Sequence, residues 1–335
     1  MSPIAERILV IKLRAIGDAV IATPVLISLK RHNPRARITF VTTPIAAELI
    51  CGLPEADEVI AYDRKKLSSW LKLVLELRRR KFDLAVNLHA SYRSALIARL
   101  SGAGERVVNN FSGHDYFSTV KYEFDKSPGS VIQRDLDCLK AIGIKPAESR
   151  TRINLMPDDE SFAEELFRKQ GFGSGIAVGL AIGAGRPAKC WSLEKYASLA
   201  DRLTEELSAR TIILSGPEET AMADAVVSMA KTKPFVLPNP SIRQTAAVIS
   251  RCSLIVGNDS AAGHIAAALG TKSIVLMGPE RPEEYYPYDG KRHVAVVKEV
   301  DCRVCGKYFC EDKKCLDLIT VDEVLKLSKE MLKNE

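Results

Sequence analysis

Residues 253–278 read SLIVGNDSAAGHIAAALGTKSIVLMG, and their pattern decides the fold class. Residues 253–256 are apolar and partly β-branched, as a buried strand requires, and Gly257-Asn258-Asp259-Ser260 is turn chemistry. Residues 261–269 are small and helical in pattern, Gly270 can close that helix, and 273–277 form a second apolar strand. Strand, turn, helix and strand make the βαβ unit of a parallel sheet, where ligands bind outside the carboxyl ends of the strands. A helix start there offers free backbone N–H groups and a positive dipole end, which suit a phosphate. The same residues also fit an ordinary βαβ unit in which Asp259 or Ser260 merely caps the helix.

Outward from that unit, strand and helix alternate along the chain. The first half carries apolar strands at 7–13, 38–42, 59–62, 82–88 and 106–108, with helical patterns at 19–31, 44–51, 67–80, 90–100 and 131–142. In the helix at 67–80, Trp70, Leu71, Val74, Leu75 and Leu77 are expected to face the sheet. Asp135-Leu136-Asp137 imitates an Asp-x-Asp metal signature, but within amphipathic periodicity it reads as a solvated helix face. The irregular stretch 111–130 is long for a compact domain, and loops of that length are often functional. The second half opens like the first: an apolar strand at 176–181, a Gly-bearing loop at 182–189 and a helix at 193–207. Its closing helix, 321–333, is expected to return across the joint. The alternation predicts two Rossmann-like, doubly wound parallel-sheet domains, 1–155 and 156–335, with a ligand cleft between them.

At 335 residues, 46% apolar and 27% charged, the chain has the composition of a soluble globular protein. No run reaches the roughly 18 apolar residues of a membrane span, and no signal peptide is evident, so a cytoplasmic protein is expected. Charge is uneven. Residues 1–155 hold 25 Lys+Arg against 16 Asp+Glu, a net of +9, whereas the remainder nets −3. A basic half could meet an anionic inner-membrane surface, peripherally, or could simply be solvated. Aromatic residues are 6% and no RNA-binding motif appears, so nucleic acid is not expected. Neither Gly loop fits the dinucleotide or P-loop spacing, which argues against a dehydrogenase or a P-loop NTPase.

The stretch around Asp259 resembles the donor-binding signature of the heptosyltransferase family, glycosyltransferase family 9. The resemblance extends over nearly the full length: ILVIKLRAIGDAVIATP at 8–24 is similar to the family's opening strand and Gly-Asp turn, and GAGRPAKCW at 183–191 to its phosphate-binding loop. It implies a GT-B fold and transfer of heptose from ADP-heptose to the lipopolysaccharide inner core, with inversion and without a divalent metal. The donor would meet Lys189 and Gly185 through its diphosphate, Glu218 through its nucleoside, and Asp259 through its sugar and phosphates. Ser260, Ala261, Gly263 and His264 would complete that site, with Gly17 beside it. Asp18 would be the catalytic base, and the acceptor would be a lipopolysaccharide core of the lipid A type. Many members have Gly where this chain has Ala261, and a Cβ there limits how closely the backbone approaches a phosphate.

Each residue also has a plainer reading. Lys189 could be a solvated loop lysine, Glu218 a helix-start carboxylate, Asp18 a cap, and His264 a residue that orders its turn. Cys302, Cys305, Cys310 and Cys315 form a C-x-x-C pair and a looser C-x₄-C pair, which fit a structural zinc or free thiols. Two other functions stay open: a GT-B enzyme with another donor, such as a sugar-nucleotide epimerase, and a non-enzymatic sugar-nucleotide or anionic-lipid binding protein.

Overall fold

Runs such as Arg7–Ile11 and Leu254–Asn258 are apolar on both faces, and both become inner strands of all-parallel sheets covered by helices. The computed structural model describes residues 5–89, 91–109, 116–121, 129–173 and 175–333. Of the irregular loop at 111–130, residues 111–115 and 122–128 lie outside the described residues. The chain divides into two units, Met1–Asn154 and Leu155–Glu335, next to the expected boundary.

In the first unit the strands are β1 (Arg7–Ile11), β2 (Arg37–Thr42), β3 (Glu58–Ala61), β4 (Leu84–Asn87) and β5 (Glu105–Val108). Their order is β3-β2-β1-β4-β5. The second unit has β6 (Ala177–Ala181), β7 (Arg210–Leu214), β8 (Phe235–Val236), β9 (Leu254–Asn258), β10 (Ser273–Leu276) and β11 (His293–Val296). These lie in the order β11-β10-β9-β6-β7-β8. Among the described residues every pairing is parallel. The direction of winding reverses between β1 and β4, and again between β6 and β9. Those are the topological switch points, where the helices diverge to opposite faces and leave a crevice at the strands' carboxyl ends.

Several expectations change in the folded chain. The helix at 19–31 is two helices, Ile16–Ile21 and Thr23–His32. Pro24 cannot donate an i→i−4 bond, and the Thr23 hydroxyl donates to the Val20 carbonyl at 2.7 Å where the helices part. In the helix Leu67–Arg79, Leu73, Val74 and Leu77 are buried, but Leu71 and Leu75 are each 57% exposed. The buried arc is centred near Trp70 and Leu77, and the 3.6-residue period carries Leu71 and Leu75 past its edge.

Asp135 is not on a solvated face. It is fully buried on the helix Val131–Ala141, accepting from Lys12 Nζ at 2.6 Å and from Asn109 Nδ2 at 2.8 Å. Burial raises its carboxyl above the usual range against the opposing pull of Lys12 and Asn109. Periodicity alone could not place it, because its partners come from distant strands. The closing helix Val321–Lys333 seats Val324, Leu325 and Met331 in the second unit's own core. Among the described residues no helix is long and apolar enough to cross a membrane.

Candidate functional site

The switch point of the second sheet receives one polar loop from β6 and another from β9. Gly257 continues β9 rather than opening a turn: it pairs with Ala181, and a Cβ on it would come within 2.6 Å of the Ala181 Cβ. That close approach brings Asn258 to the end of β9, fully buried. Its Nδ2 donates to the Ile182 carbonyl at 2.6 Å and its Oδ1 accepts from the Trp191 N–H at 2.9 Å. One side chain therefore clamps both ends of the loop that follows β6. The buried Trp191 ring adds an anchor by donating from Nε1 to the Ile319 carbonyl at 3.1 Å.

Within that clamp, Pro187–Lys189 forms one tight helical turn and presents Lys189. Its ammonium pairs with the Asp259 carboxylate and lies 3.7 Å from Glu280 Oε1. The Lys189 side chain is only 14% exposed, which removes the solvated-loop reading. Arg186, from the same loop, pairs with Glu280 and donates to the Gly306 carbonyl at 2.8 Å. The site is thus an alternating chain of charges: Asp259, Lys189, Glu280, Arg186. Burial pushes the neighbouring Cys190 thiol up, which disfavours a thiolate nucleophile there.

Asp259 and Ser260 precede the helix Ala261–Leu269, and neither caps it. Ser260 holds the N-cap place without a side-chain cap bond, while the Asp259 carboxylate is turned to Lys189. The first-turn N–H groups are therefore left without a side-chain cap, as an anion site at a helix start requires. Ala261 is the first helical residue and partly exposed. Gly263 is a packing position, since a Cβ there would meet Val275 Cγ2 at 2.7 Å and Tyr286 Cε2 at 3.1 Å. His264 is buried, with Nδ1 3.0 Å from the Tyr288 hydroxyl, and orders the aromatic cluster around Tyr286 and Tyr288.

Gly185 is exposed with open space about it. Glu218 is also exposed, and the carboxylate that reaches the Gly183 loop is that of Glu219. Glu219 accepts from the Gly216 N–H at 2.7 Å, and a Cβ on Gly183 would overlap its carboxylate. Sequence reading missed Asn258, Arg186, Glu219 and Glu280. Their signals were faint: a Glu three residues after Gly216, and a Gly278-Pro279-Glu280 run closing a strand.

In the first unit, Asp18 lies in the first turn of Ile16–Ile21, partly exposed, with Ala15 as the N-cap residue. It is three positions into the helix boundary, so the capping reading does not hold. Gly17 is buried in the same turn. His89 follows β4. Its N–H donates to Asn87 Oδ1 at 3.2 Å, and its Nδ1 is buried without a partner among the described residues. Burial first, then Arg14, Lys12 and Arg64, pull its imidazole down to about 3. Such a histidine is neutral at pH 7 and a weak base.

The four clustered cysteines are free thiols, Cys302 and Cys305 exposed, Cys310 and Cys315 partly buried. Burial raises Cys315, with Cys302, Cys305 and Cys310 close enough to add to the shift. Among the described residues no group of three or more His, Cys, Asp or Glu is arranged to hold a metal ion. The four share a neighbourhood but do not form a ligand set in this conformation. Their segment does brace the site, because the Ala188 N–H donates to the Tyr308 carbonyl at 3.2 Å alongside the Arg186 bond to Gly306.

Two parallel-sheet α/β units, with a cation held beside a helix start at a switch point of the second, match the GT-B fold of solved heptosyltransferase structures. The family model of glycosyltransferase family 9 (heptosyltransferase) matches residues 70–316. The chain belongs to that family and is a glycosyltransferase. Lipopolysaccharide heptosyltransferase 3 of Escherichia coli K12 is 26% identical over 283 residues, covering 78% of this chain and 79% of that protein. A family 9 glycosyltransferase from Veillonella parvula superposes with a TM-score of 0.86 at 25% identity, covering 98% of both chains. The ADP-heptose lipopolysaccharide heptosyltransferase II structure from E. coli gives 0.79 at 22% identity over 98% of both, a likeness of fold.

Proposed function

We propose that the protein transfers heptose from ADP-heptose to the inner core of lipopolysaccharide, with inversion at the anomeric carbon. The second unit holds the donor, and the first holds the acceptor and supplies the base. The observation that carries this reading is the largely buried Lys189 ammonium at the switch point, next to the uncapped start of Ala261–Leu269. Together they can stabilise the charge that develops on ADP as it leaves, so no divalent metal is required. The acceptor oxygen forms its bond to the anomeric carbon as the bond to the diphosphate breaks. ADP departs with that electron pair, and the hydroxyl proton goes to the Asp18 carboxylate. Incubation with ADP-heptose and a heptose-free core acceptor should release ADP and extend the acceptor. Release of ADP-heptose unchanged, or conversion of the nucleotide sugar without an acceptor, would overturn the assignment in favour of a binding protein or an epimerase.

The acceptor is amphiphilic, and we propose that the first unit works peripherally on an anionic membrane leaflet, at the cytoplasmic face of the inner membrane. The outward leucines Leu71 and Leu75 lie on a helix whose exposed residues include Lys72, Arg78 and Arg79, with exposed Lys65 and Lys66 just before it. Apolar side chains among cations suit the headgroup boundary of such a leaflet.

A further inference from the structure

Of the four charges at the switch point, the pair Lys189–Asp259 is accounted for by the donor reading, and the pair Arg186–Glu280 is not. Glu280 lies just beyond β10, and its side chain is 13% exposed. Its Oε1 is bonded to Arg186 and is 3.7 Å from Lys189 Nζ, so one carboxylate oxygen faces two cations of the same loop. Arg186 is not loosely placed either: its second nitrogen donates to the Gly306 carbonyl at 2.8 Å, and the Asn258 clamp fixes the loop that carries it. An oxyanion between a guanidinium and an ammonium is the geometry that binds a diphosphate oxygen.

We infer that Glu280 occupies the place of a diphosphate oxygen, and that Arg186 is a second diphosphate-binding cation which the donor gains by displacing Glu280. The inference rests on the donor site proposed above and adds to it a built-in competitor. Binding of a nucleoside diphosphate exchanges one anion for another at Arg186 and Lys189. Affinity is thereby lowered for every ligand that meets the two cations, and product ADP is easier to release. Glu280 is a positioning and competing group in this scheme and touches no reacting atom.

Calorimetry on the full chain tests it with ADP, inorganic pyrophosphate and adenosine as probes. Glu280→Gln should tighten ADP and pyrophosphate roughly 3- to 10-fold, the net size of one hydrogen bond no longer competed for, and leave adenosine unchanged. Arg186→Gln should weaken both diphosphates about 10-fold, and in the Arg186→Gln background Glu280→Gln should no longer tighten them by the same factor. If Glu280→Gln leaves ADP unchanged or weakens it while the wild type binds ADP, Glu280 is a brace for Arg186 and this inference alone is overturned. A change in adenosine affinity of the same size would mark a general disturbance and overturn it too. If the wild type binds neither ADP nor pyrophosphate, the donor site itself falls. Should Glu280→Gln fail to fold, Glu280→Ser removes the same charge and carries the same expectation.

Discussion

Asp18 is three positions into its helix boundary, not at the cap, and that one-turn difference separates two otherwise similar carboxylates. A cap would be bonded to backbone N–H groups, whereas here Ala15 holds the cap place without a side-chain bond. As the proposed base, Asp18 should tolerate Asn structurally. We expect Asp18→Asn to lower kcat by about 10²–10⁴-fold, with melting temperature and ADP affinity nearly unchanged. Near-normal kcat would remove Asp18 from the chemistry. Lys189 makes the opposite kind of prediction, because it has both a ligand and a structural partner. Lys189→Ala leaves Asp259 and Glu280 facing each other and the incoming phosphates. ADP should bind at least about 10-fold more weakly and stability should fall by about 1–3 kcal/mol, the cost of a buried acceptor left unpaired. Unchanged ADP affinity in a folded Lys189→Ala protein would place the diphosphate elsewhere. Both residues were picked out in the sequence by the family resemblance, each in a glycine-bearing segment that follows a strand. Of the adjacent carboxylates Glu218 and Glu219, only the fold shows that Glu219 turns toward Gly183.

The end of β4 and the helix Leu67–Arg79 are where element geometry decides behaviour. His89 is held neutral by burial and nearby cations, at about 3 against 6.5 unfolded. Above about pH 6.5 the imidazole is neutral in both states and the group adds nothing to the pH dependence. Between that pH and about 3 the unfolded chain takes up a proton that the folded chain refuses, so stability falls as pH falls. Differential scanning calorimetry from pH 7 to 4.5 should show wild-type melting temperature dropping more steeply than that of His89→Gln. Parallel slopes would mean that carboxylates elsewhere dominate. For the helix, Leu71→Ser/Leu75→Ser in the full chain should reduce binding to phosphatidylglycerol vesicles by about 10-fold or more, while turnover on a soluble acceptor is kept. The wild type should prefer these vesicles to phosphatidylcholine at low salt and lose the preference as exposed charges are screened, over about 10 Å at 0.1 M. Equal binding to both lipids would leave the two leucines as ordinary exposed surface.

Across the whole molecule, the proposed function leaves the charge of departing ADP to protein cations and a helix start rather than to a divalent ion. EDTA should therefore leave turnover unchanged, and a loss restored by Mg²⁺ would place a metal at the diphosphate. The local grammar is legible in the linear chain. Apolar strands, small-residue helices and glycine turns alternate so regularly that two doubly wound sheets, most element positions and the site loops after β6 and β9 follow from period and punctuation alone. The helices Leu193–Leu207 and Ala261–Leu269 coincide with their predicted spans because the Ser192 cap that opens the first and the Gly270 that closes the second are local. Pairings between distant segments, by contrast, emerge only when the chain is folded. Asp135 looks like a surface residue until Lys12 and Asn109, just past the ends of β1 and β5, arrive to neutralise and bond it. Asn258 looks like part of a turn until β6 lies beside β9 and offers it both ends of a loop. Glu280 is marked only by the Gly278-Pro279 before it, which says nothing of its partners. Burying a charge or an amide is favourable only when its partner is fixed across the fold, and that partner's position is not encoded in any local window of sequence.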